Sequence, residues 1–575
     1  MRELAIIGFG PRGLYSLECL CANLSKKKKV QHISISIFEN EEDLGAGKVW
    51  NTKQPDINWI NISERALKGL SGRKEINFGD FTIPAFPSYK KWLPKKDKFL
   101  SKITPDKFPP RNKVGRYLVE RANSIIAVLE KHKMVKTSNA VIVNIDFDSK
   151  KFTLTDLEKN TFFFDEVLLT IGHQTTKFDK DVETYEIQSL DKKHTSFSQV
   201  YPLETIIKSK KIAPNTNVAI RGLGLSMIDA VRALTIEKGG SFKILDKKTF
   251  ELEFIASKEI PYKIIPYSLD GLPMAPKPIH AKMDAIFKPS KKQLKLFKKS
   301  IKNIASGKEE TTGNEFLKKV TAQVSAEVYL NLENRIPLKI DKKEVKKIIT
   351  YWLEDNFYKH ELIEDSNQDI ATILASFVEM AIGKRAVSLD YCVGQVVRHC
   401  QPTLYKIFSH ANVSEEIIGE VIKLDEQLKR YSYGPPIESL QQLLALHKAK
   451  VVDFSFADNP KIEHNEKGWK FSKDGKEITV NVIVNSVLSA PKVLDVTAPI
   501  ILNLLKNEII KPIHTKLGVH TNKNGTIINA DKKEIPLAVL GRLAKGSVIG
   551  VDAILECFGS RIKDWAKGCV ERIEN

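Results

Sequence analysis

Glu3-Leu4-Ala5-Ile6-Ile7-Gly8-Phe9-Gly10-Pro11-Arg12-Gly13 is a short apolar run that breaks into glycines and passes directly into a helical pattern, Leu14, Leu17, Glu18 and Leu20. A strand that turns through three spaced glycines into a helix is the opening of a dinucleotide-binding unit. Each glycine has its own job there: Gly8 permits the tight turn, Gly10 lets the backbone approach a pyrophosphate, and Gly13 lets the helix lie close to the sheet. The free N–H groups and the positive end of the helix then favour phosphate. A glycine turn without a ligand would read the same, so the next stretch decides. After a lysine-rich turn, Lys26 to Lys29, the strand His32-Ile33-Ser34-Ile35-Ser36-Ile37-Phe38 ends in Glu39, where such units place the carboxylate that binds a ribose.

The 575 residues and 64.9 kDa provide for several domains. With 42% hydrophobic and 28% charged residues the composition is that of an ordinary soluble chain. No apolar run reaches the length of a membrane span. Glu3, Arg12 and Glu18 interrupt the apolar start, which excludes a signal-peptide reading of that segment. The six cysteines form no CxxC pair, so neither a zinc site nor a disulfide framework is expected, and reduced thiols in the cytoplasm are. The net charge of +20 raises the question of nucleic acid. Its lysines are scattered in short runs such as Lys95-Lys96 and Lys342-Lys343, without an arginine-rich arm or interleaved aromatics, and that pattern reads as solvated surface.

Further along, Leu44-Gly45-Ala46-Gly47 and Asn58-Trp59-Ile60-Asn61 read as a second close backbone approach. Pro109-Pro110-Arg111 opens a helix running to about Lys131 and carrying Gly115, Arg116 and Tyr117-Leu118. Strands follow at 140–145, 151–155 and 165–171, the last ending in Leu169-Thr170-Ile171-Gly172-His173, where a residue without a side chain lets a cofactor pass. His173 itself reads as structural rather than as a base. A second strand, glycine turn and helix begin at Asn217: Ile220-Arg221-Gly222-Leu223-Gly224-Leu225-Ser226-Met227-Ile228-Asp229, with Met227 in place of a third glycine. The strand 251–256 is expected to lie beside it and ends in Ser257-Lys258 rather than an acid, which favours the 2′-phosphate of NADPH. From about 290 to 430 the pattern becomes long amphipathic helices, with a break at Thr311-Thr312-Gly313. Strands return after Gly434-Pro435-Pro436. A late strand ends at Leu540-Gly541-Arg542, and a helix is expected from about Val548 to Cys557.

With both glycine turns and this late closure, the chain resembles the flavoprotein family of FAD/NAD(P)-binding monooxygenase-like proteins that includes bacterial FAD-dependent urate hydroxylases and L-aspartate N-monooxygenases. The resemblance implies an α/β, Rossmann-like flavoprotein with two dinucleotide-binding domains and a helical insertion. The expected division is residues 1–205 as the first part of the FAD domain, 206–285 as the NAD(P)H domain, 286–430 as the insertion and 431–575 as the return that closes the FAD site. It implies FAD at Gly8, Gly10, Pro11, Arg12, Gly13, Glu39, Gly45 and Gly47, and further at Asn61, Val143, Thr170, Gly172 and Gly541. NADPH is expected at Gly222, Gly224, Leu225, Ser226 and Lys258. The activity it implies is monooxygenation, with NADPH reducing the flavin and O2 adding to it, and the flavin hydroperoxide passing one oxygen to a small nitrogen-containing or carboxylate substrate. No nucleophile–base pair or metal cluster is then needed, because the cofactor carries the chemistry. Arg65, Arg111, Arg116 and Arg542 lie next to the glycine-marked stretches and are candidates for gripping a substrate anion, FAD phosphate or water. A reductase without oxygen insertion, and an RNA-associated flavoprotein suggested by the charge, are the other readings of the same residues. The oligomeric state is not legible in the sequence.

Overall fold

A computed structural model describes residues 2–27, 33–98, 101–190, 193–528 and 534–574. Lys28, Lys29 and His32 of the first lysine turn and second strand lie outside the described residues.

The apolar run at the start becomes β1 (Arg2–Ile7), and α1 (Pro11–Leu24) follows at once with Gly10 as its N-cap and Pro11 at the first helical position. Proline fits there because its missing N–H would have no helical partner. The other elements of this unit are β2 (Ile33–Phe38), α2 (Glu64–Leu67), α3 (Arg111–Lys131), β3 (Val135–Ser138), β4 (Ile142–Phe147), β5 (Phe152–Asp156), β6 (Thr161–Phe164) and β7 (Glu166–Leu169). β1 pairs in parallel with β2, Ile6 opposite Ile37, and with β7, Ile7 opposite Leu169. Ala5, Ile6, Leu168 and Leu169 are all buried, so both faces of this sheet must be covered. On one face Leu14, Leu17, Ile125 and Trp565 pack against Leu4 and Ile6. On the other, Ile145, Phe152 and Leu154 of the antiparallel β4-β5-β6 sheet pack against Ala5 and Ile7.

The second unit comprises β8 (Thr195–Phe197), β9 (Asn217–Arg221), α4 (Leu225–Thr235), β10 (Ser241–Asp246), β11 (Glu251–Ile255) and β12 (Lys263–Tyr267). Long helices follow: α5 (Lys291–Ala305), α6 (Glu315–Leu330), α7 (Lys342–Glu354), α8 (Ile370–Ile382), α9 (Leu389–Phe408), α10 (Glu415–Ser432) and α11 (Ile437–Lys448). The helices and the second unit share one core, in which Val231 and Leu234 join Phe377, Tyr391, Val421 and Leu443. The chain then forms an antiparallel meander, β13 (Lys461–Asn465), β14 (Gly468–Lys473) and β15 (Lys476–Val480). β16 (Val482–Asn485) follows and pairs in parallel with β8 and β9. The second sheet therefore runs β8-β16-β9-β12, all parallel. After α12 (Pro499–Lys506), β17 (Thr526–Ile528) and β18 (Glu534–Val539) return to the first sheet, which runs β17-β18-β7-β1-β2-β3. The last helix, α13 (Ser560–Glu574), packs against α1. The architecture is α/β, with two dinucleotide-type sheets, the second all parallel and the first parallel except for its antiparallel edge strand β17, and a helical insertion.

Two expected elements differ. The strand at 251–256 does not lie beside β9. It pairs antiparallel with β10 as an outlying hairpin, and β12 takes the place in the sheet. The side-chain pattern gives the reason: β11 alternates exposed Glu251 and Glu253 with buried Leu252 and Phe254, whereas Ile264 and Ile265 of β12 are both buried, as an interior parallel strand requires. The expected helix from Val548 to Cys557 is only a 3₁₀ turn, Ile554–Phe558. Upstream of it the Val551 carbonyl accepts from Arg12 and the Asp552 carboxylate pairs with Arg542.

Candidate nucleotide and substrate cleft

At the first glycine turn the three glycines are constrained differently. Gly8 has φ +82°, and a Cβ there would come within 2.8 Å of the Thr170 carbonyl. A Cβ on Gly13 would meet the Gly8 carbonyl at 2.7 Å and Thr170 Oγ1 at 3.0 Å, so helix and strand touch at that point. A Cβ on Gly10 meets nothing closer than the Ala46 carbonyl, at 3.7 Å, and Gly47 Cα, at 3.9 Å. The protein therefore does not need glycine at position 10 for its own packing. The Gly45-Ala46-Gly47 loop faces that turn, with the Gly45 amide donating to the Phe9 carbonyl at 2.7 Å. The two loops form the opposing walls of a slot bordered by backbone.

Glu39, at the end of β2, accepts the Phe9 amide at 2.6 Å and the Glu41 amide at 3.0 Å. It both braces the turn and sets its carboxylate at the slot's edge. Thr170 directly follows β7, with its hydroxyl donating to the Gly8 carbonyl, and Gly172 comes next but one with open space where its Cβ would be. Arg12 leaves the first turn of α1, passes over Gly541 at about 3 Å from where a Cβ would stand, and donates to the Val551 carbonyl. Val143 lies on β4, and its carbonyl accepts from Asn503 at 3.0 Å.

The carboxyl end of β7 meets the second unit. His173 follows the carboxyl end of β7 with much of its side chain exposed, and the desolvated part of the ring together with the charges of Arg542, Arg12 and Arg111 lowers its imidazole from the ordinary value, against the pull of Asp552. At neutral pH the ring is neutral and the cleft around it is cationic. In the second unit a Cβ on Gly222 would meet Ser486 Oγ at 2.7 Å, whereas Gly224 has open space, the same division of labour as Gly8 and Gly10. Gly224 caps α4, with Leu225 and Ser226 in its first turn and Met227 buried behind them. Lys258 is exposed beyond the β10–β11 hairpin and not at the carboxyl edge of the second sheet.

The four arginines are placed as follows. Arg111, first residue of α3, reaches across to the second unit and donates to Asp229 at 3.0 Å and Tyr201 Oη at 3.2 Å, while Tyr201 donates to the same carboxylate at 2.6 Å. Arg232 lies 3.7 Å from Asp229 and stacks on Trp59, 3.9 Å from the ring centroid. Arg65 grips Asp106 through two bonds, at 2.9 and 2.6 Å. Arg542 donates to Asp552 at 2.7 Å and to the Ser489 carbonyl at 2.7 Å. Asp552 also meets Lys429 at 2.7 Å and Lys545 at 3.6 Å, and these cations hold its carboxyl well below the usual range despite burial. Arg116 is exposed, 3.5 Å from Asn112. Three of the four forks thus close on carboxylates of this chain.

Sequence reasoning missed Asp229, Tyr201, Asp552 and a further group at the junction of the first unit with the helices. There Asp284 receives Arg398, lies 3.3 Å from His399 and 3.6 Å from Arg65, and Lys277 donates to the Asn61 carbonyl. Only Asp229 carried a signal, as the last charged position of the second glycine motif. The others come from segments whose patterns read only as helix or loop.

Residues 5–174 match the family described as FAD-NAD(P)-binding. The L-aspartate N-monooxygenase (nitrosuccinate-forming) of Streptomyces cremeus is 24% identical over 266 residues, 42% of this chain and 38% of that protein. The nitrosuccinic acid synthase of Aspergillus oryzae is 24% identical over 243 residues, 42% of this chain and 36% of its own. The matched stretch thus spans about two fifths of those curated relatives. Among solved structures, ornithine hydroxylase from Pseudomonas aeruginosa aligns over 100% of this chain and 99% of its own with a TM-score of 0.46 and 10% identity. The glycine turn, Glu39, the Gly45–Gly47 loop and Thr170 to Gly172 all fall inside the residues that match the FAD-NAD(P)-binding family.

Proposed function

We propose that the protein is an FAD- and NADPH-dependent monooxygenase that oxygenates the amine nitrogen of a small, carboxylate-bearing substrate, as the names of its N-monooxygenase relatives suggest. The observation that carries the reading is the join between the two glycine-turn units. Arg111 opens a helix of the first unit and closes on Asp229, one turn into the helix that follows the second glycine turn. Two dinucleotides bound at those turns would meet at one cleft, which is what hydride passage from one cofactor to the other requires.

In this reading the first unit, closed by 499–574, holds FAD, the second unit, which the structure extends from the expected 206–285 to include 195–197 and 461–485, holds NADPH, and the helices of 286–430 cover the substrate. Gly10 and Gly47 provide backbone walls for the pyrophosphate, Glu39 takes a ribose hydroxyl, and the N-terminus of α1 faces the phosphates. Gly224, Leu225 and Ser226 do the same for NADPH. FAD, once reduced by NADPH, supplies the two-electron activation of O2 that no side chain can provide. The chain excludes water and orients the substrate, and His173, neutral at working pH, offers a hydrogen bond to the bound groups without adding charge. All six cysteines are buried and free, which suits a reducing cytoplasm, and no helix among the described residues is long and apolar enough to cross a membrane.

The test is reconstitution with FAD followed by oxygen and NADPH consumption with single amino acids. The expected outcome is bound flavin, and NADPH oxidation that one amino acid accelerates with matching formation of its N-oxygenated product. A protein that takes up no FAD ends the proposal. Rapid NADPH oxidation that needs an organic acceptor and no oxygen replaces it with a reductase.

A further inference from the structure

A cavity of about 410 Å³, its open mouth included, lies where the end of β18 meets the loop before β17, the first turn of α13 and His410 beyond α9. Arg12 and Gly541 border it, so it shares a wall with the slot in which FAD is expected. Cations gather in its lining without carboxylate partners. Arg561, in the first turn of the 15-residue α13, has NH1 3.3 Å from His410 Nε2, and Arg12 donates to the Val551 carbonyl. Neither of them, nor the exposed Lys523, forms an ion pair among the described residues. The first turn of α13 carries no acid, so the positive end of the helix adds to the same field. Thr521 also lines the cavity. It is only 2% exposed, and its hydroxyl oxygen has no hydrogen-bond partner. Buried hydroxyls are nearly always paired with protein, water or ligand, because leaving one unmade costs its lost hydration.

The contrast is with the arginines expected at the substrate, of which Arg65, Arg111 and Arg542 are spent on Asp106, Asp229 and Asp552. His410 does not take an anion's place either. Burial together with Arg561, Lys523 and His520 pushes its imidazole down to about 3, so at neutral pH it accepts from the guanidinium and leaves the other N–H groups of the fork to donate elsewhere. Asp564 acts on Arg561 only from beyond ion-pair distance. The one carboxylate in the lining is Glu556, which accepts the Ala553 amide at 2.9 Å. Arg12, Arg561 and Lys523 outnumber it. A planar fork and one hydroxyl match the two oxygens of a carboxylate, whereas a further oxygen of a phosphate would face Glu556, which offers no donor when ionised.

We infer that this cavity seats the carboxylate of the substrate, on the Arg561 fork and the Thr521 hydroxyl, with Lys523 adding its charge. This rests on the function proposed above. His410, at the end of the helical insertion, then serves as a positioning residue that holds the fork in place, and a small organic acid without an amine binds through the same contacts.

The probes are L-aspartate, succinate and inorganic phosphate, titrated calorimetrically into the FAD-loaded protein without NADPH. Both carboxylates are expected to bind, and phosphate more weakly. Thr521→Val keeps the shape and removes only the hydroxyl. Because that hydroxyl has no partner within the protein, the variant keeps its urea midpoint while the carboxylate Kd rises roughly three- to tenfold. Arg561→Met raises Kd by at least roughly tenfold, and Arg561→Lys, which keeps the charge without the fork, falls between it and the wild type. FAD content stays at the wild-type level in all three. Binding of neither carboxylate by the wild type, tighter binding of phosphate than of both, or wild-type binding by either Thr521→Val or Arg561→Met overturns the inference. No NADPH is consumed in these titrations, so such a result leaves the amine-stimulated oxidation that tests the proposed function untouched. A protein that takes up no FAD fails the proposed function before they begin, and the substrate role inferred for this cavity falls with it.

Discussion

Gly10→Ala and Gly13→Ala differ by three positions in one turn, and the structure gives them opposite consequences. At Gly10 the backbone has φ −76° and ψ −163°, which any residue adopts, and the added methyl finds its nearest neighbour at 3.7 Å, an ordinary contact. Loss of a glycine N-cap costs under about 1 kcal/mol, and the reduced freedom of the unfolded chain returns a similar amount. The cofactor-free protein should keep its stability within about 0.5 kcal/mol. The methyl does, however, stand in the slot between this turn and Gly47, where close backbone approach to a pyrophosphate is the reason for glycine. An overpacking cost of about 1–3 kcal/mol there weakens FAD binding roughly 5- to 150-fold. At Gly13 the methyl lands 2.7 Å from the Gly8 carbonyl and 3.0 Å from Thr170 Oγ1, both fixed by the sheet. Helix and strand must separate, at a net cost of about 1–2 kcal/mol after alanine's better helix propensity is credited. Denaturant unfolding of the cofactor-free variants and fluorescence titration with FAD separate the two effects. If Gly10→Ala binds FAD like the wild type, the slot does not hold the pyrophosphate. If it unfolds as readily as Gly13→Ala, the glycines were required by packing alone.

Asp229→Leu leaves Arg111 and Arg232 without their buried carboxylate and should cost about 3–5 kcal/mol, most of which Arg111→Met on the same chain restores. A double-mutant cycle in urea measures it, and additive losses would refute the pairing. His410, largely buried, is pushed down to about 3, chiefly by burial. The unfolded chain therefore binds more protons than the folded one below the ordinary histidine range, and stability should fall as pH drops from about 6.5 toward 4. His410→Gln should flatten that limb of the profile, and an unchanged slope would assign it to carboxylates.

Much of the fold is local and was legible for that reason. β1, its glycine turn and α1 depend on what residues 3–24 can do with their own backbone, and β2 followed by Glu39 depends on a short apolar run ending in an acid. The long helices are written in their period. The second glycine turn was visible despite Met227, because strand, turn and helix still follow one another within a dozen residues.

Partners in space are not written that way. Strand 251–255 has the composition of a sheet strand, but whether it pairs with β9 or with β10 was decided by which neighbours could bury Leu252 and Phe254 while leaving Glu251 and Glu253 in water. Arg65, Arg111 and Arg542 look alike in sequence as cations beside glycine-rich stretches. Only the tertiary structure brought Asp106, Asp229 and Asp552 to them, the second of these from 118 residues away. The sequence determined the backbone shapes, which short-range sterics and periodicity govern. The pairing of charges and the burial that tunes them belonged to the tertiary structure, because electrostatic partners are chosen by distance in space and not along the chain.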